Sequence, residues 1–174
     1  VEGSERLQRF LQFHDQQTAG GPGLNILYEG MQARVTEKLV KNKNIVILKH
    51  SPCTVIGGEL HPADVASAPG AERFLNYIPR CIYLKFAEAI WTVDKRLGPG
   101  VWPLFPVYRT WKLNVAQGSK IKRPGFKSLP DYASTAFMSQ GATLPAAIAD
   151  CGDVWDAGGL LELMTTYVIL SGVK

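Results

Sequence analysis

Residues 24–126 form a succession of short β-prone runs, each stopped by glycine, proline or a polar turn before helical periodicity can develop. The runs are 24–28, 31–36, 44–49, 53–56, 81–86 and 90–93. Gly30 and Gly57-Gly58 mark turns, and 61–71, rich in proline, alanine and glycine, reads as a loop. Beyond Gly98-Pro99-Gly100, Pro103 and Pro106, residues 106–114 and 120–126 pattern as a hairpin around Gln117-Gly118-Ser119. Short strands this close together, with no helices between them, predict a small antiparallel barrel or a curled sheet.

The flanks have a different texture. Leu7, Phe10, Leu11 and His14 recur at helical spacing behind Ser4, a suitable N-cap, and 18–23 is a glycine-rich break. From Asp131 onward, 132–136 reads as a buried strand and 146–149 as a short apolar run. Leu160, Leu161, Leu163, Met164, Tyr167, Val168 and Leu170 fit a mostly buried helix behind Gly158-Gly159. A β-turn-β-helix order suits the edge of an α/β domain. The expected organisation is therefore an α/β part, residues 1–23 and 129–174, into which a β-rich, barrel-like region, 24–128, is inserted.

Charge is unevenly spread. The net charge is only +4. Residues 1–94 carry ten basic and ten acidic side chains. Residues 95–130 carry eight basic ones (Lys95, Arg96, Arg109, Lys112, Lys120, Lys122, Arg123 and Lys127) and no acid. Residues 131–173 carry five acids and no base. An acid-free basic segment can produce a local positive field, and reads either as a surface facing a polyanion or as a solvated loop that only adds solubility. Trp102, Phe105, Tyr108, Trp111 and Phe126 interleave with it. Such rings either fill a core or offer faces on which unpaired bases stack.

Several functions are excluded or disfavoured. A phosphate-binding loop needs Gly-Lys-Ser/Thr opening a helix, so that backbone amides and the lysine surround the β- and γ-phosphates. No lysine here follows a glycine, and no Asp-Glu pair is present to hold a metal and orient water. The stretch is not a self-contained P-loop ATPase. Cys53, Cys81 and Cys151 are far apart and make no Cys-x-x-Cys pair, so no structural zinc site is expected. They read as reduced thiols of an intracellular protein. His14, His50 and His61 have no ligand spacing. No apolar run reaches the ~18 residues that span a bilayer. The first six residues lack the pattern of a signal peptide, and Val1 in place of methionine reads as a processed or truncated start.

Two strings near the C-terminus carry a resemblance. Ser134-Thr135 precedes Gln140-Gly141-Ala142-Thr143-Leu144, and Tyr167-Val168-Ile169-Leu170-Ser171 follows about two dozen residues later. Together they resemble two motifs of superfamily 1 DNA helicases of the Pif and RecD type. Tyr28-Glu29-Gly30-Met31 followed by Val35-Thr36 resembles the stretch that precedes the inserted β-barrel of these enzymes. The resemblance implies an incomplete RecA-like α/β domain with that barrel inserted. It further implies an ATP-dependent DNA helicase whose ATP and Mg2+ are held by an N-terminal RecA-like domain upstream of this stretch, which would be its partner.

On this reading Ser134, Thr135, Gln140, Gly141 and Thr143 contact single-stranded DNA, and Gly141 and Ser171 lie towards the nucleotide. Arg109, Lys112, Lys120, Lys122, Arg123 and Lys127 add a diffuse electrostatic surface. Where the family has His-Lys this chain has Phe137-Met138, and where it carries an arginine that reaches the γ-phosphate this chain has Gly172. Alternatives are a non-catalytic nucleic-acid-binding relic and a β-rich protein-interaction domain. A helicase fragment would reside in the nucleus or mitochondrion of a eukaryote.

Overall fold

The computed structural model describes residues 18, 25–41, 43–64, 74–112, 120–132, 146 and 167. The chain divides into two compact units, Val1–Pro130 and Asp131–Lys174. All the strands described lie in the first unit: β1 (Gln32–Val35), β2 (Leu39–Lys41), β3 (Ile45–Ile47), β4 (Pro52–Glu59), β5 (Cys81–Lys85), β6 (Val101–Leu104), β7 (Val107–Lys112), β8 (Lys120–Gly125) and β9 (Ser128–Pro130).

These observations correct the expected fold class. The described residues are 45% strand and 2% helix. Every strand pair among them is antiparallel. A RecA-like α/β domain needs parallel strands joined by helical crossovers, and nothing of that kind is present among the described residues. The α/β expectation came from the flanks, 1–23 and 129–174. Of these only Thr18, Leu129 to Tyr132, Ala146 and Tyr167 are described, so apart from Tyr167 the strings that suggested it lie outside the described residues.

Five strands form one sheet in the order β6-β5-β4-β1-β9, while β2-β3 and β7-β8 are separate two-stranded ribbons. The sheet has β6 and β9 as its edges, and no pairing between them closes a barrel among the described residues. β1 joins the two ends of the unit: Ala33 pairs with Cys53 of β4 on one side and with Pro130 of β9 on the other. Directly opposed residues share a face of the sheet. The pairs Ala33–Cys53, Val55–Leu84, Leu84–Trp102 and Ile82–Leu104 therefore line up apolar side chains across four strands. They form the core together with Met31, Val35, Leu39, Ile47, Phe86 and Phe126. Ala33, Val35 and Leu84 are fully buried. A bulge between Val55 and Gly57 shifts the register of β4 against β5, and Ile56, on the face opposite Cys53 and Val55, is exposed.

Three strands were not legible as such. β6 contains Pro103, which reads as a strand breaker, yet β6 is an edge strand, where proline need not donate to a ladder. β2 and β9 are only three residues long. Residues 90–93, expected as a strand, are not one. Ile90 is 93% exposed, while Trp91 and Val93 pack against the core. Their carbonyls are satisfied from elsewhere: the Gly100 amide donates to Trp91 O at 2.7 Å, and Lys41 Nζ donates to Val93 O at 2.8 Å. Trp91 meets Trp102 edge-on, with ring centroids 6.2 Å apart.

Gly100 makes this excursion possible. Its φ is +69°, and a Cβ there would lie 2.7 Å from Phe86 O and 2.8 Å from Ala89 O. Gly98 also has positive φ, +77°, but faces open space. Gly98→Ala should cost only the left-handed backbone penalty, about 1–2 kcal/mol. Gly100→Ala adds a backbone clash and should cost about 3 kcal/mol or more. Urea denaturation of the two variants measures the difference.

Candidate nucleic-acid interface

The β7–β8 ribbon holds five of the six basic residues expected at a DNA surface. Its register is Val107–Gly125, Tyr108–Pro124, Arg109–Arg123, Thr110–Lys122, Trp111–Ile121 and Lys112–Lys120. Strand alternation sends successive residues to opposite faces. One face carries Tyr108, Thr110, Lys112, Lys120 and Lys122, all exposed. The other carries Arg109, Trp111, Ile121 and Arg123, all buried or half-buried. The six cations are therefore not one diffuse surface: alternation separates the lysines of the ribbon from its arginines.

The arginine face is compensated. Arg109 Nη2 lies 3.4 Å from Glu37 Oε1, and Lys127 Nζ lies 2.5 Å from Glu37 Oε2. The Lys127 hydrogen bond, reinforced by the charges of Lys127, Arg109 and Lys49, holds the Glu37 carboxyl below its ordinary value of 4.5, with partial burial opposing the shift. Arg123 lies over the Trp111 ring, 4.9 Å from its centroid. Trp111 faces Ile121, so Arg123 reaches it along the diagonal of the ladder. Elsewhere in the acid-free segment, Arg96 donates to both carboxylate oxygens of Asp94, which holds that carboxyl far below its usual range. Acids from residues 37 and 94 thus fold onto a segment that has none of its own. Asp94 is a sequence neighbour of Arg96, but no local pattern signals the approach of Glu37, 72 positions before Arg109.

Among the described residues the lysine face has no such compensation. Lys112 and Lys120 oppose each other directly, and neither has an ion pair among the described residues. Like charges directly opposite each other destabilise a ladder. Lys122, the next lysine along, lies over the Tyr108 ring, 4.4 Å from its centroid.

The structure also sorts the interleaved aromatics. Trp102, Trp111 and Phe126 are buried, whereas Phe105 and Tyr108 are exposed. Ser134, Thr135, Gln140, Gly141, Thr143, Ser171 and Gly172 lie outside the described residues. Among the described residues no three His, Cys, Asp or Glu side chains gather where they could hold a metal ion, and no helix is long and apolar enough to cross a membrane. Cys53 and Cys81 are buried, and burial, with the nearby Glu59 charge, pushes the Cys81 thiol up to about 11.

No protein family model, curated protein or solved structure matches this chain. The likeness to Pif and RecD helicases therefore rests on the motif strings alone.

Glu37 joins both Arg109 and Lys127, and its depressed pKa sets the sign of a pH effect. The carboxylate contributes stability above the ordinary glutamate range, and that contribution is lost as pH falls through the lower folded-state value. Because the Glu37 side chain is 45% exposed, solvent screening limits the contribution to about 1 kcal/mol or less. Glu37→Gln should be slightly less stable than the parent at neutral pH. The gap should narrow below pH 4.5 and in molar salt, as followed by thermal unfolding.

Proposed function

We propose that this chain binds single-stranded DNA through the lysine face of β7–β8, as a DNA-contacting part of a Pif/RecD-like helicase. The observation that carries the proposal is the opposition of Lys112 and Lys120, with Lys122 beside them, on one exposed face that no acid among the described residues pairs with. Such a pairing costs the free protein stability and suits a ligand that brings closely spaced negative charges. Tyr108 on the same face supports a nucleic acid over a simple anion, because it adds an aromatic surface to the cations.

The proposal assigns DNA contact, not nucleotide turnover, to these 174 residues, which contain no phosphate loop. ATP and Mg2+ would be held by the N-terminal RecA-like partner domain. On the motif resemblance Gln140, Gly141 and Thr143, with Ser134 and Thr135, would contribute their own contacts to single-stranded DNA. Gly172, at the position of the family's arginine, favours a non-catalytic nucleic-acid binder over an active motor.

Fluorescence anisotropy with labelled oligo(dT) tests the assignment. Log affinity should fall linearly with log salt, at about 0.7 per phosphate neutralised. Replacing Lys112, Lys120 and Lys122 together by glutamine should reduce that slope by about 2. An unchanged slope in the triple variant, or no binding at low salt, overturns the proposal.

A further inference from the structure

Among the described residues several aromatic side chains are exposed, including Phe74, Tyr77, Phe105 and Tyr108. Their surroundings differ. Tyr77 is already stacked on His61, with ring centroids 4.4 Å apart and planes 23° from parallel. Phe74 and Phe105 have no cation over their rings among the described residues. Tyr108 is 67% exposed and has the Lys122 ammonium over its ring. It also shares its face with Lys112 and Lys120.

We infer that Tyr108 is a stacking platform for one unpaired nucleobase, with Lys122, Lys112 and Lys120 taking the phosphates that follow along the ribbon. The inference rests on the reading of this face as a DNA surface and deepens it, because it names the residue that senses the base. The geometry carries it in three ways. Tyr108 stands four residues from Lys112 on the same strand, a separation of about 13 Å, so the ring and the end lysines meet different parts of one bound strand. Lys122, diagonal to Tyr108 in the ladder, holds its ammonium over one face of the ring, so a base would stack on the opposite face with a positive charge close by for its phosphate. The ring's exposure also costs the free protein a solvated apolar face that stacking would cover.

A platform of this kind selects single strands. Bases paired in a duplex are already stacked on their neighbours, and their faces are closed to the ring. Phosphate contacts alone make no such distinction.

The test compares the whole chain binding oligo(dT) and an abasic oligomer of the same length, which keeps the phosphates and lacks the bases. At one salt concentration the parent should hold oligo(dT) roughly tenfold more tightly than the abasic strand, the effect of about one stacked base. Tyr108→Leu should bring the two affinities together while leaving the salt slope unchanged, and Tyr108→Phe should preserve the preference. Equal binding of both oligomers by the parent, or a preference that survives Tyr108→Leu, overturns the platform and leaves the lysine surface standing. Failure to bind either oligomer overturns both.

Discussion

The two-residue alternation of antiparallel strands governs both the core and the candidate interface of the first unit. In the five-stranded sheet it aligns Ala33, Cys53, Val55, Leu84 and Trp102 on one face through their cross-strand pairs. Burial of that face supplies the main drive for folding, because apolar area removed from water is the dominant favourable contribution. In the β7–β8 ribbon the same alternation acts on charge. It turns Arg109 and Arg123 to the side where Glu37 and Trp111 compensate them, and turns Lys112, Lys120 and Lys122 to the open side. A one-residue slip in this ribbon would exchange the two sets.

Glu37 relates the ribbon to the sheet. It follows β1 by two residues, and its carboxylate meets Arg109 of β7 and Lys127, which immediately precedes β9. β9 in turn pairs with β1. Three segments distant in sequence thus converge on one acid. Its strength is modest because it is partly exposed, but it sets which cations of the basic segment remain open to a ligand. Arg109 and Lys127 are engaged, and the three ribbon lysines are not paired with any described acid.

The sequence was most legible where local chemistry and tertiary context agreed. The strands around residues 32–35, 45–47, 53–56 and 81–85, and the hairpin formed by β7 and β8, follow from β-branched and aromatic runs between turn residues. It misled where a long-range contact replaced a local preference. Residues 90–93 look like a strand but have their carbonyls satisfied by Gly100 and Lys41. Pro103 looks like a breaker but sits on an edge. The α/β assignment drew on motif strings at the chain's flanks, and the antiparallel, almost helix-free character of the described residues overturned it.

By itself the sequence determined the β-rich nature of the central region, the cluster of eight basic residues in 95–130, the aromatics among them and the absence of a phosphate loop. These follow from residue identity and spacing, which need no partner in space. Only the tertiary structure decided which charges remain uncompensated and which rings remain open. Glu37 lies 72 positions before Arg109, and Trp111 and Tyr108 differ in burial, 8% against 67%, although only three residues separate them. Charge neutralisation and burial are properties of neighbours brought together by folding. The basic segment therefore acquired its two faces only when the register of β7 against β8 was set.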